Sequence, residues 1–138
     1  MSFDIDLQKA IGKATAAIEA VPIKITFELH NEIVRRSPVD TGRYRANNQV
    51  TLNTPPQKVI DMVDSSQQGS PPTLTQSSEV SAATNRYKPG DTIFLTNNLE
   101  YAQYIEFGDA SKQAIGGVYR LAAQTVMSHI AKVFGGIK

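Results

Sequence analysis

Arg36-Ser37-Pro38-Val39-Asp40-Thr41-Gly42-Arg43 is the stretch at which the N-terminal part of the chain must stop and turn. Pro38 disfavours the α region at Ser37, so a helix arriving from upstream ends there. It also lacks an N–H and breaks any helix that includes it. The side chains of Asp40 and Thr41 fold readily onto nearby backbone N–H groups, and Gly42 tolerates a positive φ. Read locally, the stretch is an over-determined corner.

Asp40-Thr41-Gly42 also resembles the motif of retropepsin-like aspartic proteases, in which two carboxylates share a proton across a dimer. The flanks oppose that reading. Such an aspartate needs an apolar strand leading in, whereas here Asn31-Glu32-Ile33-Val34-Arg35-Arg36 precedes it and Arg43 and Arg45 follow. Arginines beside the dyad would depress both carboxylates, when one of them must keep its proton.

Composition narrows the classes further. A chain of 138 residues with 41% hydrophobic residues fits one domain with a modest core. A formal net charge of +1 supplies no global field for nucleic acid. There is no cysteine, hence no disulfide or thiol chemistry. No apolar run reaches the roughly 20 residues that a membrane helix needs. The start, Met1-Ser2-Phe3-Asp4-Ile5-Asp6, is acidic where a secretory signal would be basic. The expectation is a soluble protein made inside a cell. His30 and His129 are isolated, and neither a His, a Cys nor a metal-ligand spacing converges on Glu100 or Glu106. No catalytic, cofactor-binding or metal-binding residue is assigned.

Upstream of the corner, Leu7, Ile11, Ala14, Ile18 and Val21 recur at helical spacing, so Asp4 to Val21 is predicted as a helix capped by Ser2 or Asp4. The next stretch is ambiguous. Ile23-Lys24-Ile25-Thr26-Phe27-Glu28-Leu29-His30 alternates apolar and polar residues, the period of a half-buried strand. As a helix it would place Ile25, Leu29 and Ile33 on one side and Ile23, Phe27 and Val34 on the other, so both sides would need covering.

Downstream, one strand is predicted within Ala46–Asn53, ended by Thr54-Pro55-Pro56. Arg35, Arg36, Arg43 and Arg45 form the densest basic cluster. They suit either phosphate contact or ion pairs with Asp40 and other carboxylates. Pro55 to Asp91 is rich in Ser, Thr, Gln, Gly and Pro and reads as an extended, partly flexible insertion, an arm ordered by a partner. Within it, Val59–Val63 suits a short strand or a helical turn, and Glu79–Thr84 a short helix capped by Ser77 or Ser78. Thr92–Thr96 reads as a strand, and Leu99–Phe107 as a helix stopped by Gly108. Asp109–Gly117 is a small-residue loop. Val118–Phe134 is a final helix ended by Gly135-Gly136.

Ser37-Pro38-Val39-Asp40-Thr41-Gly42-Arg43-Tyr44-Arg45 resembles the signature SPVDTGxLRxS of the head–tail connector and tail-completion family of long-tailed, double-stranded DNA bacteriophages. Asn97-Asn98-Leu99-Glu100-Tyr101-Ala102-Gln103-Tyr104-Ile105-Glu106-Phe107-Gly108 resembles its second signature, NNxxYAxxxExG. Lys112-Gln113-Ala114 and Gly117-Val118-Tyr119-Arg120 resemble its third block. Tyr44 replaces a usual Leu, and Glu100 a common Pro.

The resemblance implies an α+β fold, with a long N-terminal helix and a C-terminal helix packed on a small, mainly antiparallel sheet. It favours the helical reading of Ile23–His30. It implies a non-enzymatic virion protein at the neck, without cofactor: a subunit of a hexameric homo-oligomeric ring that completes the tail and joins it to the head. Its partners would be the tail tube or tail terminator protein and a head-side neck or connector protein, close to packaged DNA. The expected interface residues are Ile23, Phe27, Val34, Arg43, Arg45, Leu74, Tyr101, Tyr104, Glu106 and Arg120. The alternative is a DNA-contacting accessory domain that uses the arginine cluster.

Overall fold

Val21 to Arg36 forms a single helix, α1, despite the alternation of its first half. The reason is the pattern of burial. Ile25, Leu29 and Ile33 lie one turn apart and are all buried, and Thr26, His30 and Val34 form a second buried row beside them. A strand would have spread these residues over two faces. Pro22 falls in the first turn, where its missing N–H has no helical partner to lose, and its carbonyl accepts the Thr26 hydroxyl at 2.8 Å. The outward row is Ile23, half-buried, and Phe27, exposed.

The computed structural model describes residues 2–5, 21–108 and 111–134. Of the helix predicted from Asp4 to Val21, residues 6–20 lie outside the described residues, as does the Gly135-Gly136 terminator. Asp4 and Ile5 are not helical: they end strand β1 (Ser2–Ile5) and pair with Phe94 and Ile93.

The corner follows α1. Ser37 N–H bonds to Val34 O and Ser37 Oγ to Ile33 O, which closes the last turn. Gly42 has φ 92° and leads into the short helix α2 (Arg43–Ala46). Strand β2 (Gln49–Leu52) comes next. Helix α3 (Leu74–Thr84) and strand β3 (Ile93–Thr96) follow, then helix α4 (Ala102–Phe107), a 3-10 turn (Lys112–Ala114) and helix α5 (Tyr119–Phe134). The strands form one antiparallel sheet in the order β1-β3-β2, with Leu95 opposite both Phe3 and Val50. The fold is therefore α+β with a small antiparallel sheet.

Packing differs in one respect from the expected helix-on-sheet arrangement. α1 lies mainly against α5 and α3, and α3 is the helix laid on β2. α3 begins at Leu74, five residues before Glu79, because Thr73 and Gln76 form a reciprocal capping box. Val80 and Ala83 of α3 join Ile33, Ile93, Leu95, Val118 and Ala122 in the core. Eleven residues of the expected insertion are thus helix, while 53–73, Val59–Val63 included, and 85–92 lack regular structure.

Candidate functional site

The three sequence blocks meet inside the protein. Ser37 Oγ accepts Asn48 Nδ2 at 2.8 Å. Asn48 Oδ1 in turn accepts Asn97 Nδ2 at 3.1 Å and the Tyr119 hydroxyl at 2.9 Å. Asn97 Nδ2 also reaches Tyr44 O, and its Oδ1 accepts Leu99 N–H. One residue from each block, plus Asn48, makes a buried polar chain that fixes their relative positions. Buried polar groups are costly unless paired, so the network tolerates only this arrangement.

Arg45 is wholly buried. Its guanidinium donates to Asp64 Oδ2 at 2.7 Å, Val34 O at 2.9 Å and Pro71 O at 2.6 Å. Asp64 also accepts Ser66 and Gln76. Desolvation pushes the Asp64 carboxyl up, but the Ser66, Arg45 and Gln76 hydrogen bonds outweigh it and hold it down at about 2. Asn47 makes a reciprocal pair with the backbone of Ile60, at 2.7 and 3.1 Å. Arg45 and Asn47 thus fasten residues 60–71 to the corner, and Gly42 lies directly beneath Asp64, whose carbonyl a Cβ would strike.

Glu106 performs the same service for α5. Buried within the chain, its carboxylate accepts the N–H groups of Val118 (2.9 Å), Tyr119 (2.8 Å) and Arg120 (3.0 Å) and Arg120 Nε (3.0 Å). Desolvation alone would raise its pKa. The hydrogen bonds from the three backbone groups and the guanidinium reverse that, leaving it below the ordinary carboxylate value. Gly117, at φ 95°, is the residue that lets the chain pass this carboxylate.

On the outside, the corner and α4 enclose a groove of about 530 Å³, lined chiefly by Pro38, Val39, Arg43, Tyr44, Tyr101 and Tyr104. Gln113 closes one end through a reciprocal pair with the Val39 backbone, at 2.9 and 3.2 Å. Tyr104 on its wall is exposed, as are Phe107, one turn further along α4, and Ile115; Arg120 stacks 4.7 Å above the Phe107 ring. Elsewhere Met62 and Val63 line a second, smaller dent with Thr75 and Glu79, and Val59 and Leu74 are exposed as well.

The ten expected interface residues divide accordingly. Tyr104, exposed, and Arg43 and Tyr101, half-buried, line the groove; Arg120 is exposed over Phe107; Leu74 is 88% exposed at the start of α3; Ile23 and Phe27 lie on the outer row of α1. Val34, Arg45 and Glu106 present no surface: each is consumed inside the chain by packing or hydrogen bonds. The arginine cluster is likewise engaged. Arg35 bonds Asn31 and Gly69 O, Arg36 bonds Glu32 and Thr125, Arg43 lies 4.0 Å from Glu100, and Arg45 holds Asp64. Asn47, Asn48 and Asp64 were not anticipated; isolated amides and one carboxylate in polar stretches carry no local signal of burial.

Asp40 sits on the exposed turn before α2, not at the end of a buried strand. Among the described residues, no group of three or more His, Cys, Asp or Glu is placed to hold a metal, and no helix is long and apolar enough to cross a membrane.

A buried frame that displays aromatic and aliphatic surface is the build of an assembly protein. Residues 3–108 match the family described as "Bacteriophage HK97-gp10, putative tail-component", and the chain belongs to that family. It is a structural component of the phage tail, hence of the virion, and meets other tail or head proteins. No curated protein and no solved structure matches the chain significantly.

Proposed function

We propose that the protein is a ring subunit that completes the tail end and joins it to the head or neck, and that it catalyses no reaction. The observation that carries this reading is the display of large apolar side chains on a rigid frame. Tyr104, Phe107, Ile115, Met62, Val63 and Leu74 are each more than half exposed. Tyr104 and Phe107 lie one turn apart on α4, and Met62 and Val63 share a dent; exposed apolar surface of this kind on such a small domain supports a protein–protein contact. Tail tube or terminator on one side and a head-side connector on the other are the partners of that role, at the neck of the virion. Residues 55–72 act as an arm, anchored by Arg45 and Asn47, that gains further order against a neighbour. The burial of Arg45 against Asp64 and the pairing of Arg36 with Glu32 take two of the four clustered arginines away from phosphate contact and so weigh against a DNA-binding role for the cluster.

The test is a phage whose copy of this gene carries an early stop codon. Filled heads and complete tails that fail to join, cured by supplying the protein, are expected in electron micrographs. Joined, infectious particles lacking the protein would overturn the proposal.

A further inference from the structure

Resting on the reading of residues 55–72 as an arm that meets a neighbour, we infer that the arm works by strand addition. An extended segment of another tail or head protein pairs with the open backbone edge of residues 59–63. The chain runs from 59 to 67 without a turn or a bend, so it is extended there. In an extended chain the N–H and C=O of one residue point to one side, and those of the next residue to the other.

The inward side is taken. Lys58 O accepts Gln49 Nε2 at 2.8 Å. Ile60 exchanges both backbone groups with the Asn47 amide, at 2.7 and 3.1 Å. Asp64 N–H donates to Gly42 O at 2.9 Å. All three are even-numbered. The odd-numbered residues Val59, Asp61 and Val63 are exposed, and among the described residues their backbone groups have no partner. Side chains thus replace a strand ladder on the inner edge, while the outer edge is a row of unpaired donors and acceptors about 6.6 Å apart. Such a row is a template for a further strand, because another extended backbone carries the matching groups at the same spacing.

Charge selects the occupant. Asp61, in the middle of the edge, is an exposed carboxylate with no ion pair among the described residues. Opposite charges directly across a strand pair attract, and like charges repel. Two copies joined edge to edge about this residue would set Asp61 against Asp61, and the chain's own edge strand β1 carries Asp4. The segment that fits comes from a different protein, with Lys or Arg across from Asp61 and apolar residues across from Val59 and Val63.

The test measures binding of the purified chain to tails and to filled heads, each isolated from phage made without it. The parent should bind one of the two. Proline lacks the N–H that the edge donates, so Asp61→Pro and Val63→Pro should each weaken binding roughly tenfold or more. Asp61→Lys should weaken it too. Met62 N–H faces inward and has no partner, so Met62→Pro should bind within about threefold of the parent. Melting curves verify the fold of each variant. Hydrogen exchange of the bound parent is a readout independent of any substitution: the amides of Val59, Asp61 and Val63 should slow, and that of Met62 should not. Equal losses for all three prolines, or protection elsewhere in 55–72 without slowing at those three amides, refute strand addition and leave the arm reading standing. Self-association of the parent that Asp61→Pro abolishes refutes the assigned partner in favour of a second copy. A parent that binds neither tails nor heads overturns both the inference and the arm reading.

Discussion

Glu106→Gln is the substitution that most directly tests how the second signature works. In the parent, one carboxylate receives four hydrogen bonds: from the N–H groups of Val118, Tyr119 and Arg120, and from Arg120 Nε. An amide of the same size keeps one oxygen, enough for Val118 and Tyr119. Its nitrogen would then face Arg120 N–H and Nε, so two attractive contacts become donor against donor. Hydrogen bonds to a charged group contribute about 1.5–3 kcal/mol each, and a negative charge at a helix N-terminus about 0.3–2 kcal/mol. Against this, the neutral amide costs less to bury. A net loss of about 2–4 kcal/mol is expected. For a chain of this size each kcal/mol shifts the melting temperature by roughly 4 °C, so the expected drop is about 8–16 °C.

The pH profile supplies a second readout. Glu106 titrates below its ordinary value in the folded chain. Its contribution is therefore present above the unfolded pKa of 4.5 and is lost as pH falls through the lower folded value. The variant should lack that part of the acid sensitivity. Chemical denaturation across pH, with parent and variant compared, measures both quantities. A Glu106→Gln chain within about 0.5 kcal/mol of the parent at neutral pH would refute the capping role.

Gly42→Val should be the most damaging change at the corner. φ is 92° there and a Cβ collides with the Asp64 backbone, so a loss of about 3 kcal/mol or more is expected by urea denaturation, and a stable variant would sink the corner reading. Arg45→Lys cannot reach Asp64, Val34 O and Pro71 O together. It should cost about 3 kcal/mol and speed hydrogen exchange at the amides of Asp64 and Gly69, bonded in the parent to Gly42 O and Arg35 O; unchanged exchange would mean that residues 60–71 are held by other means. His30 is buried with Nε2 unpartnered, and desolvation lowers its pKa from 6.5 to about 4. Between those values the unfolded chain binds a proton that the folded one refuses, so stability falls on acidification by up to about 3 kcal/mol; His30→Leu should flatten the slope above pH 4.5, and an identical slope would exclude His30 as its source.

The sequence alone determined where the chain turns and which stretches are regular. Pro38 and Gly42 act through φ, ψ and sterics of their own residues, so the corner needed no tertiary information. Strand β3, the C-terminal helix and the stop at Gly108 were equally local, carried by β-branched runs, helical spacing and a terminating glycine. At Ile23–His30 the local signal pointed to a strand. The helix formed because burial of Ile25, Leu29 and Ile33 against α5 and α3 outweighs a weak local preference, and that gain exists only in the assembled fold. The start of α3 was misplaced because Ser77 and Ser78 are as plausible caps as Thr73 until the Gln76 side chain is seen reaching back.

The roles of the signature residues belonged wholly to tertiary structure. Asp40-Thr41-Gly42 drew attention as possible chemistry, yet the residues that organise the site are Ser37, Arg45, Asn48, Asn97 and Glu106, each of which has a partner between 11 and 71 positions away in the chain. Arg45 and Glu106 look like surface charges in one dimension. They are buried because each finds enough partners to repay its lost hydration, and hydrogen-bond satisfaction across such distances leaves no periodic trace in a sequence.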